Sequence, residues 1–388
     1  MRRLSVLSTL LVPVLTFTLA GLIGCGGTDA DKSGSGPGTA KRVPGAGDEQ
    51  SGETKRIIIL TNGESPFWDA ARQGLEAAKK DLKLGDAGLD ATLEVNDGTE
   101  EGQLERLRQY ASQPDIVAVG VSVTKEDNAA IARQLREMKD KGIYIITVDS
   151  DVNRSRFRDS RIAYVGTDNV EAGRELGRCA KLLRPEGGEY VTFVGFTSAQ
   201  NAKERVQGFE EGAGDKFIQK DNMGDELDRT RAKDNVRTAF TNHPKLNTLV
   251  GIWSYNAPAI VGVIEAEKKA ERGAKEISIV TFDAEPGAIK KMAEGWIDAM
   301  VVQNPYQMGY QGVRLMNALV RKDQKTVDEM LVGKSKEGDL VDTGIKIVVP
   351  DAGSPLKPET FTNKEKKIEG YKLSDFQKWL QEFNLTGS

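Results

Sequence analysis

The chain has one histidine, His243, and two cysteines, Cys25 and Cys179, in 388 residues. A single imidazole excludes a multi-histidine metal site, and a Ser-His-Asp or Cys-His nucleophile would have to be built on His243. That residue lies in Asn242-His243-Pro244, a loop signal. Two cysteines make neither a zinc knuckle nor a disulfide scaffold. No basic excess exists: 54 Lys and Arg stand against 58 Asp and Glu, a formal net charge of −4, which excludes a field suited to nucleic acid. Gly333-Lys334-Ser335 lacks the glycine a phosphate loop needs five positions earlier, where Asp328 stands. What remains is a chain of ordinary globular composition, long enough for two or three domains.

The one long apolar run is at the N-terminus. Arg2 and Arg3 precede Leu4–Ile23, which is interrupted by Pro13, Gly21 and several hydroxyl residues. A basic start, an apolar stretch and small residues make an export signal over residues 1–24. Leu22-Ile23-Gly24-Cys25 resembles the bacterial lipobox, which implies that Cys25 carries a lipid and starts the mature chain. Residues 26–54 hold eight glycines and a single large apolar residue, Val43. Such a stretch cannot bury enough surface to offset chain entropy, and it reads as a flexible tether between the lipidated Cys25 and the body. The reading therefore places the protein on the extracytoplasmic face, attached to a membrane through the lipid only. With Cys25 lipidated, Cys179 has no disulfide partner. It sits in an apolar-periodic stretch and reads as a buried thiol.

From Arg56 onward, short apolar runs alternate with amphipathic stretches. Strands are predicted at Arg56–Thr61, Ala91–Val95, Ile116–Val121 and Ile143–Val148, with a helix such as Trp68–Leu84 between them, carrying Ala71, Leu75, Ala78 and Leu82 at helical spacing. A second series follows at Ala163–Val165, Tyr190–Phe196, Phe217–Gln219, Thr248–Ile252, Ile277–Phe282 and Ala299–Val302, with a last strand at Ile345–Val349. Strands without polar alternation are covered on both faces, so the expected class is α/β with parallel sheets. The tail after Pro350 is charged and carries one amphipathic piece, Leu373–Phe383, expected to dock as a helix.

Polar residues gather where the predicted strands end. The exits read Thr61-Asn62-Gly63-Glu64-Ser65-Pro66-Phe67-Trp68, Val148-Asp149-Ser150-Asp151, Thr197-Ser198-Ala199-Gln200-Asn201, Ser254-Tyr255-Asn256, Phe282-Asp283 and Gln303-Asn304. Open α/β sheets bind ligands in that crevice. The set has carboxylates, amides and aromatics, with no metal-ligand spacing and no nucleophile–base pair. It suits a neutral polyhydroxylated ligand, whose hydroxyls pair with carboxylates and amides while aromatic faces cover the ring. Taken singly, Asp149 and Asp283 read equally well as helix N-caps, Arg205 as a solvated helix charge, and Phe67 or Trp68 as core.

These exits resemble those of type I periplasmic binding proteins, in particular the ribose-binding branch of sugar ABC-transporter receptors, over about Lys55 to Pro350. Ser65-Pro66-Phe67-Trp68 resembles the family's Asn-Pro-Phe-(Phe/Trp) loop. Ile146-Thr147-Val148-Asp149 and Val280-Thr281-Phe282-Asp283 resemble two strands ending in hydroxyl-binding Asp. Asn201-Ala202-Lys203-Glu204-Arg205-Val206-Gln207-Gly208-Phe209 resembles the stretch whose Arg binds ligand. Tyr255-Asn256 ahead of Gly262 and Gln303 ahead of Pro305 match the ligand Asn and the hinge-side Gln. The resemblance implies two Rossmann-like lobes joined by three crossings near Gly166, Asn304 and Gly344. The lobes would be residues 55–166 with 304–344 and residues 167–303 with 345–350, leaving 351–388 as a tail. It implies ligand contacts from Phe67, Trp68, Asp149, Arg205, Asn256, Asp283 and Gln303, with lesser ones from Thr61, Glu64, Ser65, Ser150, Asn201 and Phe282. Departures are Ser150 where ribose binders carry Arg, Ser65 for Asn, and Leu227 for a third stacking aromatic, so the sugar itself stays open.

The implied function is capture of a monosaccharide by hinge closure and delivery to an ABC permease, as a monomer and with no cofactor, metal or nucleic acid. A sensor subunit signalling to a membrane receptor would present the same body. A hydrolase would need Asp149 and Asp283 as a catalytic pair, but in the resemblance both bind hydroxyls, and no enzyme is expected. A transcription regulator of the same fold is excluded, since residues 1–55 hold an export signal and tether in place of a helix-turn-helix.

Overall fold

The computed structural model describes residues 54–267, 276–333, 335 and 338–387. The predicted leader, Cys25 and the tether up to residue 53 lie outside them. The first series is β1 (Lys55–Leu60), α1 (Pro66–Asp81), β2 (Leu89–Glu94), α2 (Glu100–Tyr110), β3 (Ile116–Val121), α3 (Ala129–Asp140), β4 (Tyr144–Val148), α4 (Arg154–Phe157) and β5 (Tyr164–Gly166). The second is α5 (Asn169–Leu183), β6 (Gly188–Val194), α6 (Gln200–Ala213), β7 (Phe217–Gly224), α7 (Arg229–Asn242), β8 (Leu246–Gly251), α8 (Asn256–Glu267), β9 (Ser278–Phe282), α9 (Pro286–Ala293) and β10 (Ala299–Val302). The chain ends through α10 (Pro305–Arg321), α11 (Gln324–Leu331), β11 (Leu340–Asp342), β12 (Ile345–Val349), β13 (Ile368–Lys372) and α12 (Leu373–Glu382).

Two sheets result, as the α/β reading expects. The first runs β11-β5-β4-β3-β1-β2 and is parallel throughout. The second runs β13-β12-β10-β9-β8-β6-β7, with only the β10–β12 pair antiparallel. Central strands are apolar end to end because helices cover both faces: Ile57, Ile58, Ile59 and Leu60 are fully buried. The chain passes between the sheets three times, after β5, after β10 and after β11. At the last crossing Gly344 takes φ +77°, where a side chain would be strained and would meet the Lys367 carbonyl at 2.7 Å.

Each sheet carries one unusually close helix pair. A Cβ at Gly309 would lie 1.9 Å from the Ala71 carbonyl oxygen, so α10 rests on α1 backbone to backbone. A Cβ at Gly173 would lie 2.3 Å from the Arg205 carbonyl oxygen, so α5 does the same with α6. Cys179 on α5 is buried, and burial pushes its thiol up. The tail adds a strand that the sequence reading did not pick out. β13 extends the second sheet beside β12, pairing Ile345 with Ile368. Its Glu369, Gly370 and preceding lysine run conceal the pattern. After it, α12 docks as expected, burying Leu373, Phe376 and Leu380 against the core that holds Ile289 and Met292. Trp379 stacks on Phe376 at 5.8 Å and covers the buried Lys346 ammonium at 4.1 Å.

Candidate ligand-binding cleft

A cavity of ≈ 170 Å³ opens at the carboxyl ends of the strands. The β1–α1 loop supplies Glu64 and Ser65, and the first turn of α1 supplies Phe67 and Trp68. The β4 exit supplies Asp149 and Ser150, α6 supplies Asn201 and Arg205, and the β9 and β10 exits supply Asp283 and Gln303. Residues far apart in the chain meet because parallel strands all end on one side.

The two aspartates are set alike. Each follows its strand in the left-handed region, Asp149 at φ +65° and Asp283 at φ +63°, which Asp tolerates better than most residues. Their amides still join the neighbouring strands, Asp149 to the Val165 carbonyl at 3.0 Å and Asp283 to that of Val301 at 2.9 Å. Ser122 Oγ donates to Asp149 Oδ2 at 3.1 Å. Gln303 Nε2 donates to Asp283 Oδ1 at 2.9 Å, Ser254 Oγ to Oδ2 at 3.1 Å, and Thr167 Oγ1 fixes the Gln303 amide at 3.0 Å. Burial pushes the Asp149 carboxyl up to about 6; the Arg205 charge opposes this and the Asp283 charge adds to it. Burial raises Asp283 as well, against Arg205 and its two hydrogen bonds.

Arg205 is 3% exposed, and its charge acts on both aspartates. Its Nε donates to Asn169 Oδ1 at 2.8 Å and its Nη1 to the Ile252 carbonyl at 3.1 Å, and the guanidinium sits 4.5 Å over the Phe282 ring. Its Nη2 is buried without a partner. A buried unpaired donor costs about 1–3 kcal/mol, more when charged, so a site holding one is made for an acceptor that arrives with a ligand. On the facing wall Phe67 and Trp68 meet edge to face at 5.1 Å, with the indole N–H 3.3 Å from Asn62 Oδ1.

The structure does not bring Thr61, Asn256 and Phe282 to the cavity. Thr61 Oγ1 holds the loop by donating to the Gly63 carbonyl at 2.8 Å and accepting from Asn96 N at 3.1 Å. The Asn256 carbonyl accepts from Ile252 N and Trp253 N, both at 3.1 Å, and its amide donates to Asp225 Oδ2 at 3.0 Å. Phe282 lies beneath Arg205. Their side chains are used up by the wall itself. Among the lining residues that escaped the sequence reading are the aromatics Phe196, Trp253 and, as a contact, Tyr255, although the last stands in the exit inventory. Behind them Asp225, fully buried and raised to about 6 by burial, accepts from Trp253 Nε1 at 2.8 Å. β7 conceals this residue, since the polar Gln219-Lys220-Asp221-Asn222 reads as the end of the strand. Leu227 stands where an aromatic was missing, and Trp253 lies beside it: a Cβ at Gly195 would be 3.3 Å from both side chains.

Two α/β lobes with a polar crevice at their strand ends define a cleft-type ligand binder. Residues 57–324 match the periplasmic binding protein domain, and the chain belongs to that family; it is a binding protein and not an enzyme. The ribose import binding protein of Salmonella typhimurium is 22% identical over 271 residues, 69% of this chain and 85% of that protein. The D-allose-binding periplasmic protein of Escherichia coli is 24% identical over 267 residues, 67% of this chain and 82% of that one. Among solved structures, a glucose-galactose binding protein from Geobacillus stearothermophilus superposes with a TM-score of 0.65 at 24% identity, covering 76% of this chain and 98% of its own.

Proposed function

We propose that the protein is the substrate-binding lipoprotein of a sugar ABC importer, tethered through Cys25, which closes its lobes on a monosaccharide ring and presents the closed form to a permease. The observation that carries this reading is the buried floor of Asp149, Arg205 and Asp283, drawn from both lobes, with one guanidinium nitrogen, Nη2, left without a partner. Two carboxylates accept from sugar hydroxyls, Arg205 Nη2 donates to a sugar oxygen, and Phe67 covers the ring. Charge-assisted bonds of this kind, shielded from water, are about twice as strong as neutral ones. The names of the curated relatives, one for a pentose and one for a hexose, support the class and leave the sugar open. Closure has its own contacts. Glu126 and Arg154 of the first lobe pair with Lys203 and Glu204 on α6 of the second, the latter at 2.9 Å.

Titration calorimetry of the full-length protein against pentoses, hexoses and deoxysugars tests the reading. Binding of at least one, weakened at least tenfold (about 1.4 kcal/mol) by Asp283→Ala, is expected. Unchanged affinity in that variant would remove Asp283 from the site. Fatty-acid labelling of the wild type that is lost in Cys25→Ala tests the anchor.

A further inference from the structure

The C-terminal tail lines no part of the cleft, yet it reaches both lobes. Its strand β13 and helix α12 belong to the second sheet and its core. Past α12 the chain turns at Asn384, at φ +53°, and Leu385 N donates to the Leu380 carbonyl at 2.8 Å. Residues around this turn meet groups beside the cleft. Phe383 meets the Tyr306 ring edge to face at 4.8 Å. Tyr306 belongs to the first lobe, in the first turn of α10 and just past the crossing at Asn304. Leu385 is 9% exposed and lies in the apolar cluster that holds Ala284 and Ile289 of the second lobe and Ala70, on α1 of the first. Gly387 is buried against the loop between β9 and α9: a Cβ there would lie 2.5 Å from the Ala284 carbonyl oxygen and 3.0 Å from Pro286 Cδ. Ala284 follows Asp283, a carboxylate of the floor.

The flank on which these contacts fall bears on closure. In β1, Ile57 and Ile59 pack in one cluster with Leu75 of α1 and Met316 of α10, while Ile58 and Leu60 pack in another with Leu135 of α3 and Phe157 of α4. Alternate residues of a strand face opposite sides, so α1 and α10 cover one face of the first sheet and α3 and α4 the other. The ion pairs Lys203–Glu126 and Arg154–Glu204 join the lobes on the α3–α4 side. Tyr306–Phe383 joins them on the α1–α10 side. The two sets hold the lobes from opposite flanks.

We infer that residues 383–387 are an interlobe tie that stabilises the closed form and so tightens sugar binding without touching the sugar. The inference rests on the closure reading above. Apparent affinity scales with the fraction of protein in the binding-competent form. A contact made in the closed form and lost in the open one therefore multiplies the affinity of a protein that is mainly open when free. An edge-to-face aromatic pair contributes a factor of about 2–12 on that scale.

Calorimetry on the full-length protein with D-ribose, D-allose, D-glucose and D-galactose compares the wild type with Tyr306→Ala, Phe383→Ala and the two together. The expected result is binding about threefold weaker in each single variant and no further loss in the double one, because both changes break the same contact. A variant ending at Glu382 should lose about tenfold, since Leu385 and Gly387 go as well. Small-angle scattering of the sugar-free protein should give a larger radius of gyration in each variant than in the wild type. Circular dichroism confirms that the variants fold, and a segment that served only the fold would move neither affinity nor compactness in folded protein. Wild-type affinity and compactness in both single variants overturn the inference while the sugar-binding reading stands. Losses that add in the double variant overturn it too, since the two rings then act separately. Silence from every sugar overturns the sugar-binding reading and leaves scattering to decide the tie.

Discussion

Replacing Asp149 by Asn should make the protein more stable and a poorer binder at once. The carboxyl titrates at about 6 in the folded protein because it is buried, with Asp283 nearby. In the unfolded chain it titrates near 3.9. Between those values the folded state holds the proton more tightly than the unfolded state, so stability falls as pH rises through this window. Above pH 6 the ionised group disfavours the fold by about 3 kcal/mol, and below about pH 3.9 it has no effect. Asn keeps the shape, tolerates φ +65° and carries no charge. Removing the charge also relieves Asp283, which the Asp149 carboxylate faces. At pH 7.5 the variant should therefore melt several degrees higher, at about 2–4 °C per kcal/mol. The advantage should shrink steadily as pH falls toward 4. The same change removes a charged acceptor, and sugar affinity should fall at least tenfold (about 1.4 kcal/mol). Differential scanning fluorimetry from pH 4 to 8, paired with calorimetry, measures both. Asp225, Glu126 and Glu285 are also raised by burial, but they titrate in both proteins and drop out of the difference. A variant that is no more stable at pH 7.5 and binds as the wild type does would refute this account of the floor.

Arg205→Met should strip the floor of its cation, leaving Asn169 Oδ1 and the Ile252 carbonyl without their donor; urea unfolding should show a loss of about 3–5 kcal/mol, and a loss under about 1 kcal/mol would contradict the burial of the charge. Gly173→Ala should force α5 off α6 and displace Arg205, weakening sugar binding in a protein that still folds. Gly262→Ala on α8, where nothing lies within 4 Å of the new methyl, is the control and should be neutral or stabilising by about 1 kcal/mol. Deleting the chain from Leu373 onward should expose the face that Leu373, Phe376 and Leu380 cover, at about 1.5–3 kcal/mol for each side chain; an unchanged melting temperature would show that α12 is an appendage.

The sequence alone carried the parallel α/β architecture, because apolar runs such as Ile57–Leu60 and Ala299–Val302 have no polar alternation and can only be covered on both faces. It also pointed to many of the residues that line the cleft, though only through motifs taken together, since singly Asp149 and Asp283 read as helix N-caps and Arg205 as a helix charge. β11 and β13 were not legible. Both are short pieces at or near sheet edges whose place depends on a neighbour rather than on their own pattern. Nor was the division between residues that face the cavity and residues that hold its wall. Asn256 and Trp253 stand three apart at one strand exit, and either can reach a ligand on residue type. Only the packing turns Asn256 back onto the Ile252 and Trp253 amides and leaves the indole at the opening. Which residues end strands is a local property written in hydrophobicity. Which way a side chain points at the end of a strand depends on partners contributed from elsewhere in the chain, here Asp225 from β7's exit, and that only the tertiary structure decides.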